Sequence, residues 1–210
     1  MPPKTAGKKG VTRVAPGEAA STAEIPTLSF GSIKAFDAWL ERHHASSRGL
    51  WLKIAKKDAG VASITYAEAV ELALIRGWID GQKRTLDATW WLQKFTPRSR
   101  KSMWSEINRE KANKLVVDGK MKPSGLAEIE RAKADGRWDR AYAPPSTAVV
   151  PADLEAAFAK NARAKKMFDG LSRANRYAIL FRVQNAKKEE TRMRRIEELV
   201  AMLARGETIH

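Results

Sequence analysis

With 210 residues, 43% hydrophobic and 30% charged, the chain can bury the core of one large or two small domains and is not disordered as a whole. Lysine and arginine number 39 against 24 acids, a formal charge of +15 that favours anionic partners such as nucleic acid, phosphorylated metabolites or an acidic membrane surface. Having no cysteine excludes disulfides and thiolate chemistry, and with His43, His44 and His210 as the only histidines neither a metal nor another cofactor is expected.

Residues 1–27 are rich in Pro, Gly, Ala, Ser and Lys without an apolar period, which predicts a disordered basic tail. Neither the tail nor any later stretch has the continuous apolar run of a signal peptide or a membrane span, so a cytoplasmic address is expected. Peripheral contact with acidic lipid is compatible with the charge.

The body opens at Leu28 to Phe30, and Ser32 caps a helix carrying Ile33, Phe36, Trp39 and Leu40 at helical spacing. Gly49 to Lys57 alternates as a strand. Thr65 and Glu68 form a capping box for a buried helix that stops at Gly77. Asp80-Gly81 is read as a tight turn, followed by neighbouring strands at Gln82 to Leu86 and Trp90 to Phe95, which with Gly49 to Lys57 give an antiparallel sheet of about three strands. Helices are expected from Ser102 to Asp118 and from Ser124 to Ala134. All seven tryptophans fall in this region and predict one aromatic-rich core.

A Pro-rich linker at 143–151 then leads to about three helices: Asp153 to Asp169, Ser172 to Ala186, and Lys188 to Arg205 with a Met193, Ile196, Val200, Leu203 stripe. The expected fold class is α+β, divided into the tail at 1–27, an α+β domain at 28–142, the linker, and a helical region at 152–206.

Between Lys83 and Lys101, the cations Lys83, Arg84, Lys94, Arg98, Arg100 and Lys101 face the single acid Asp87. A helix beginning at Ser102 would add free backbone N–H groups, so Lys83, Arg84, Arg98, Ser102 and Asn108 are read as an anion site shaped by Trp78, Asp80, Gly81 and Trp104. The competing reading is a solvated strand edge guarded by charge. Lys187, Arg192 and Arg195 form a secondary basic face, whose alternative is pairing with Glu197 and Glu198. No serine lies in a nucleophile motif, so no catalytic residue is assigned.

Gly77-Trp78-Ile79-Asp80-Gly81-Gln82-Lys83, followed by Leu86-Asp87, Phe95-Thr96-Pro97-Arg98, Ser102-Met103-Trp104-Ser105 and Asn108, resembles the YdeI/OmpD-associated family of bacteriocin-protection proteins. Ala186-Lys187, Thr191-Arg192 and Arg194-Arg195-Ile196 are similar to the family's ending, and the likeness runs from about Phe30 to Arg205. It implies protection against bacteriocins or cationic antimicrobial peptides, and carries over no catalytic residue. The function expected is a non-catalytic protection or stress protein binding a phosphate- or carboxylate-bearing partner. The alternatives are nucleic-acid binding with Trp90 or Trp91 stacking on bases, and an enzyme for a phosphorylated small molecule with Asp80 or Asp87 as base.

Overall fold

A computed structural model describes residues 25–209; the basic tail up to residue 24 and His210 lie outside them. Strand β1 (Thr27–Ser29) leads to helix α1 (Ile33–His43), whose first turn is capped by the Ser32 hydroxyl accepting from Ala35 N. Strand β2 (Leu50–Ala55) buries Leu50, Leu52 and Ile54 and turns Trp51, Lys53 and Ala55 the other way. Helix α2 (Tyr66–Ile75) starts with the Thr65/Glu68 box formed in both directions.

Strands β3 (Trp78–Thr85) and β4 (Trp90–Pro97) complete a sheet of order β1-β2-β4-β3. The architecture is α+β, as the sequence implied, but the sheet has four strands and is mixed, because β1 runs parallel to β2. The predicted turn at Asp80-Gly81 is not one: β3 runs straight through it. A register shift falls between Asp80 and Lys83, and the Gln93 side-chain amide fills it by donating to the carbonyls of Gly81 and Gln82. The reversal lies further on, where the Asp87 carboxylate accepts from Thr89 N and Trp90 N, a side-chain turn that needs no glycine.

Helix α3 (Glu106–Val117) is capped by Ser105, not Ser102. Helix α4 (Pro123–Ala134) packs its start against the end of α2: Lys122 N donates to Ile75 O, and a Cβ on Gly77 or Gly125 would collide with Ser124 O or Ile75 O, at 2.8 and 2.4 Å. Gly77 also has φ +76°, so two constraints meet on it. One apolar cluster runs from Phe36 through the sheet to Trp138.

The second cluster is built from four helices where three were expected: α5 (Ala152–Ala159), α6 (Ala162–Asp169), α7 (Arg173–Gln184) and α8 (Glu189–Ala204). The predicted helix across 153–169 is interrupted because the Asn161 side chain caps a new start, accepting from Ala164 N. On α8 the buried stripe is Ile196, Leu199 and Leu203, while Met193 is 57% exposed. Contacts join the two clusters at Tyr142, whose ring meets Phe181 edge-on at 5.1 Å, and at Tyr177, whose hydroxyl donates to Ala143 O at 3.0 Å.

Candidate functional site

The cations expected to converge do not share a pocket. Lys83 stands opposite Gln93 on the core-facing side of the sheet, over the Trp91 ring at 4.4 Å. Arg84, opposite Leu92, is on the outer side, over Trp51 at 4.3 Å. Successive strand residues point to opposite faces, so Lys83 and Arg84 are on different sides of the sheet, and the bulge before them sets which side each takes.

Arg98 is 5% exposed. Its guanidinium lies 3.5 Å from the Trp104 ring centroid and donates to Met103 O, while its carbonyl accepts from Arg131. Burial pushes the group down to about 10, against the opposing pull of Glu128 and Asp80. The aromatic face holds the charge, and Arg98 joins β4 to the ring that packs on Trp138 at 4.8 Å.

Ser102 accepts from Ser99 N through its hydroxyl and from Arg137 through its carbonyl, and offers no helix start. Asn108 lies inside α3, its backbone N–H donating to Ser105. Trp78 is buried with its indole N–H on His44 O. The Tyr66 hydroxyl donates to Asp80 at 2.6 Å, and its own pKa is raised by burial and then by that carboxylate. Gly81 contributes a carbonyl to the bulge.

On the secondary basic face, Arg192 bridges to Asp153 across helices and to Val183 O, and Arg195 donates to Arg182 O. Neither uses the expected Glu197 or Glu198. Lys187 makes no ion pair among the described residues.

The register assembles a different surface. Trp51 pairs with Lys94, Lys53 with Leu92 and Ala55 with Trp90, so these six side chains share the outer face of the sheet with Arg84. Lys53 lies over Trp90 at 4.9 Å, and Lys94 shares Trp51 with Arg84 at 5.7 Å. None of these residues is buried, and the strand residues whose pairing puts them on this face include no acid. Trp51 and Trp90 therefore stand outside the aromatic core expected to hold every tryptophan. Lys53 and Trp51 were not among the expected site residues; their place on the polar phase of the strand alternation is the sequence signal that marks them.

Residues 28–128 match a domain of unknown function, DUF8412, and residues 147–206 match the family described as Bacteriocin-protection, YdeI or OmpD-Associated. It is the C-terminal helices alone that match the YdeI/OmpD-associated family. Helices α5 to α8 make up the YdeI/OmpD-associated segment, which contains Lys187, Arg192 and Arg195. The run from Gly77 to Asn108, which suggested the same family, falls in the other match, so the YdeI/OmpD-associated likeness covers the second cluster rather than the whole body. No curated protein and no solved structure matches the chain. Among the described residues no helix is long and apolar enough to cross a membrane, and no cluster of three His, Asp or Glu could hold a metal ion.

Proposed function

We propose that the protein is a non-catalytic binder of an anionic polymer, single-stranded nucleic acid, on the outer face of its sheet. The observation that carries this reading is the joint placement of Trp51 and Trp90 with Lys53, Arg84 and Lys94 on one accessible face whose paired strand residues include no acid, Asp87 standing at its edge in the β3–β4 turn. Aromatic rings supply stacking platforms that accept any base, and the cations supply phosphate contacts along the strand. Arg84 already lies over Trp51, so its guanidinium plane offers a second stacking surface on top of the first. Trp51 and Ala55 are four residues apart on β2, about 13 Å at the usual strand rise, and Trp90 pairs with Ala55. A flexible single strand can follow two platforms at that separation; a duplex keeps its bases stacked on one another and out of reach.

This reading makes any protective or stress role indirect. A chain of formal charge +15 repels a cationic bacteriocin or antimicrobial peptide rather than trapping it. Anisotropy titration of a labelled thymidine oligonucleotide is the test. Trp51→Ala and Trp90→Ala should each weaken binding by about 1–3 kcal/mol. Lys53→Gln with Lys94→Gln should flatten the slope of log affinity against log salt by about 1.4, roughly 0.7 for each phosphate no longer neutralised. No binding at low salt, or binding that survives removal of both tryptophans, rejects the proposal.

A further inference from the structure

A cleft of about 310 Å³ opens where the helical region meets the sheet region, and its charged walls are Lys101, Arg137, Arg140 and Lys187. They come from three stretches of chain: the loop before α3, the segment after α4, and the turn between α7 and α8, where Gln184 and Asn185 add amides. Arg137 is 5% exposed. Its Nε donates to both Asp135 oxygens at 2.8 Å and its Nη1 to Ser102 O at 2.6 Å, while its buried Nη2 has no partner. A buried guanidinium held rigid on two sides with a donor left over is costly unless something accepts from it. Asp135 is the acid set against the four cations; Arg140 donates to its backbone carbonyl rather than to its carboxylate. Lys101 and Lys187 make no ion pair among the described residues.

We propose that this junction cleft is a binding site for a small phosphoryl-bearing anion, separate from the sheet face. Donors approaching from three directions suit the tetrahedral oxygens of a phosphoryl group better than a planar carboxylate, which one guanidinium edge would satisfy. Lys101 lies in the segment matched as 28–128, Lys187 in the segment matched as 147–206, and Arg137 and Arg140 between them. The site is complete only when the two regions are docked, so an occupying anion holds them together.

Thermal unfolding of the whole chain with inorganic pyrophosphate tests this, with citrate as the carboxylate probe and sodium chloride at matched ionic strength as the control. Pyrophosphate should raise the melting temperature above the chloride control and above citrate. Lys101→Gln combined with Lys187→Gln, both at the cleft's open rim, should leave the unliganded melting temperature unchanged and weaken pyrophosphate at least tenfold. Lys53→Gln with Lys94→Gln should leave it unaltered, which separates this site from the sheet face. Equal stabilisation by chloride, stronger stabilisation by citrate, or full retention of pyrophosphate binding in the Lys101/Lys187 variant would each overturn the assignment.

Discussion

The strands of the sheet and the last helix treat positively charged side chains in different ways. In the first, cations rest on indole rings: Arg98 on Trp104, Arg84 and Lys94 on Trp51, Lys53 on Trp90, Lys83 on Trp91. In the second, which contains no tryptophan, arginines are bound to oxygen: Arg192 to Asp153, Arg194 to Glu198, Arg205 to Glu207, Arg195 to a backbone carbonyl. A ring attracts a cation through its face and leaves the N–H groups available, whereas a carboxylate uses them. On the outer face of the sheet the cations thus keep N–H groups for a partner, whereas along the last helix they are taken up by oxygen; away from that face Arg76, Arg131 and Arg137 of the sheet region are paired to acids as well. Counting lysines and arginines along the chain does not expose that difference.

Substitutions can break or sharpen the contrast. The largest effect is expected for Trp104→Ala, which removes a buried ring and the platform of a buried guanidinium together: a destabilisation of about 3–5 kcal/mol in urea unfolding, with the arginine penalty adding to the cavity. A change under about 1 kcal/mol would mean that the ring does not support Arg98.

Asp153→Asn addresses the other region. The Arg192 hydrogen bond holds the Asp153 carboxyl below its ordinary range, so the folded state keeps it charged where the unfolded chain would take up a proton. Its stabilisation is complete above about pH 4 and is lost as the pH falls through the lowered folded value. Asp153 is partly solvated, so the substitution should cost only about 0.5–1 kcal/mol at neutral pH, with wild type and variant converging in acid. A gap that persists in acid contradicts the pairing. The smallest effect is expected for Arg194→Ala, whose 3.8 Å contact with Glu198 lies between two exposed side chains: within about 0.5 kcal/mol by the same urea assay.

What could be read in the sequence follows from how local each decision is. Helix starts at Ser32 and Thr65, the stop at Gly77 and the helix ends near Asp118 and Ala134 stand where they were expected, because a cap needs only its own few residues. Asp80-Gly81 misled because its turn propensity lost to ladder pairing with β4, which continues on either side of the bulge. Ser102 and Ser105 look alike as caps; the choice rests on Tyr142, far along the chain beyond α4, whose carbonyl takes up the Glu106 N–H. The parallel partner of β1 could not be read from three residues. For the site, the cationic run was visible but its geometry was not, since one bulge decides which face each cation takes. Arg137 and Arg140 carried no local signal at all, because their setting exists only after two regions meet.

Tyr142 occupies an unusual mechanical position. Its backbone is stitched to Trp104 and Glu106 at the entrance of α3, while its ring leans on Phe181 of α7. Any swing of the C-terminal helices pulls on this side chain and, through Tyr177, on the adjoining Ala143 carbonyl, next to a main chain anchored beside Trp104, the ring under Arg98. Tilt of one half of the molecule is thereby converted into strain at the root of one helix in the other half, with no longer lever required.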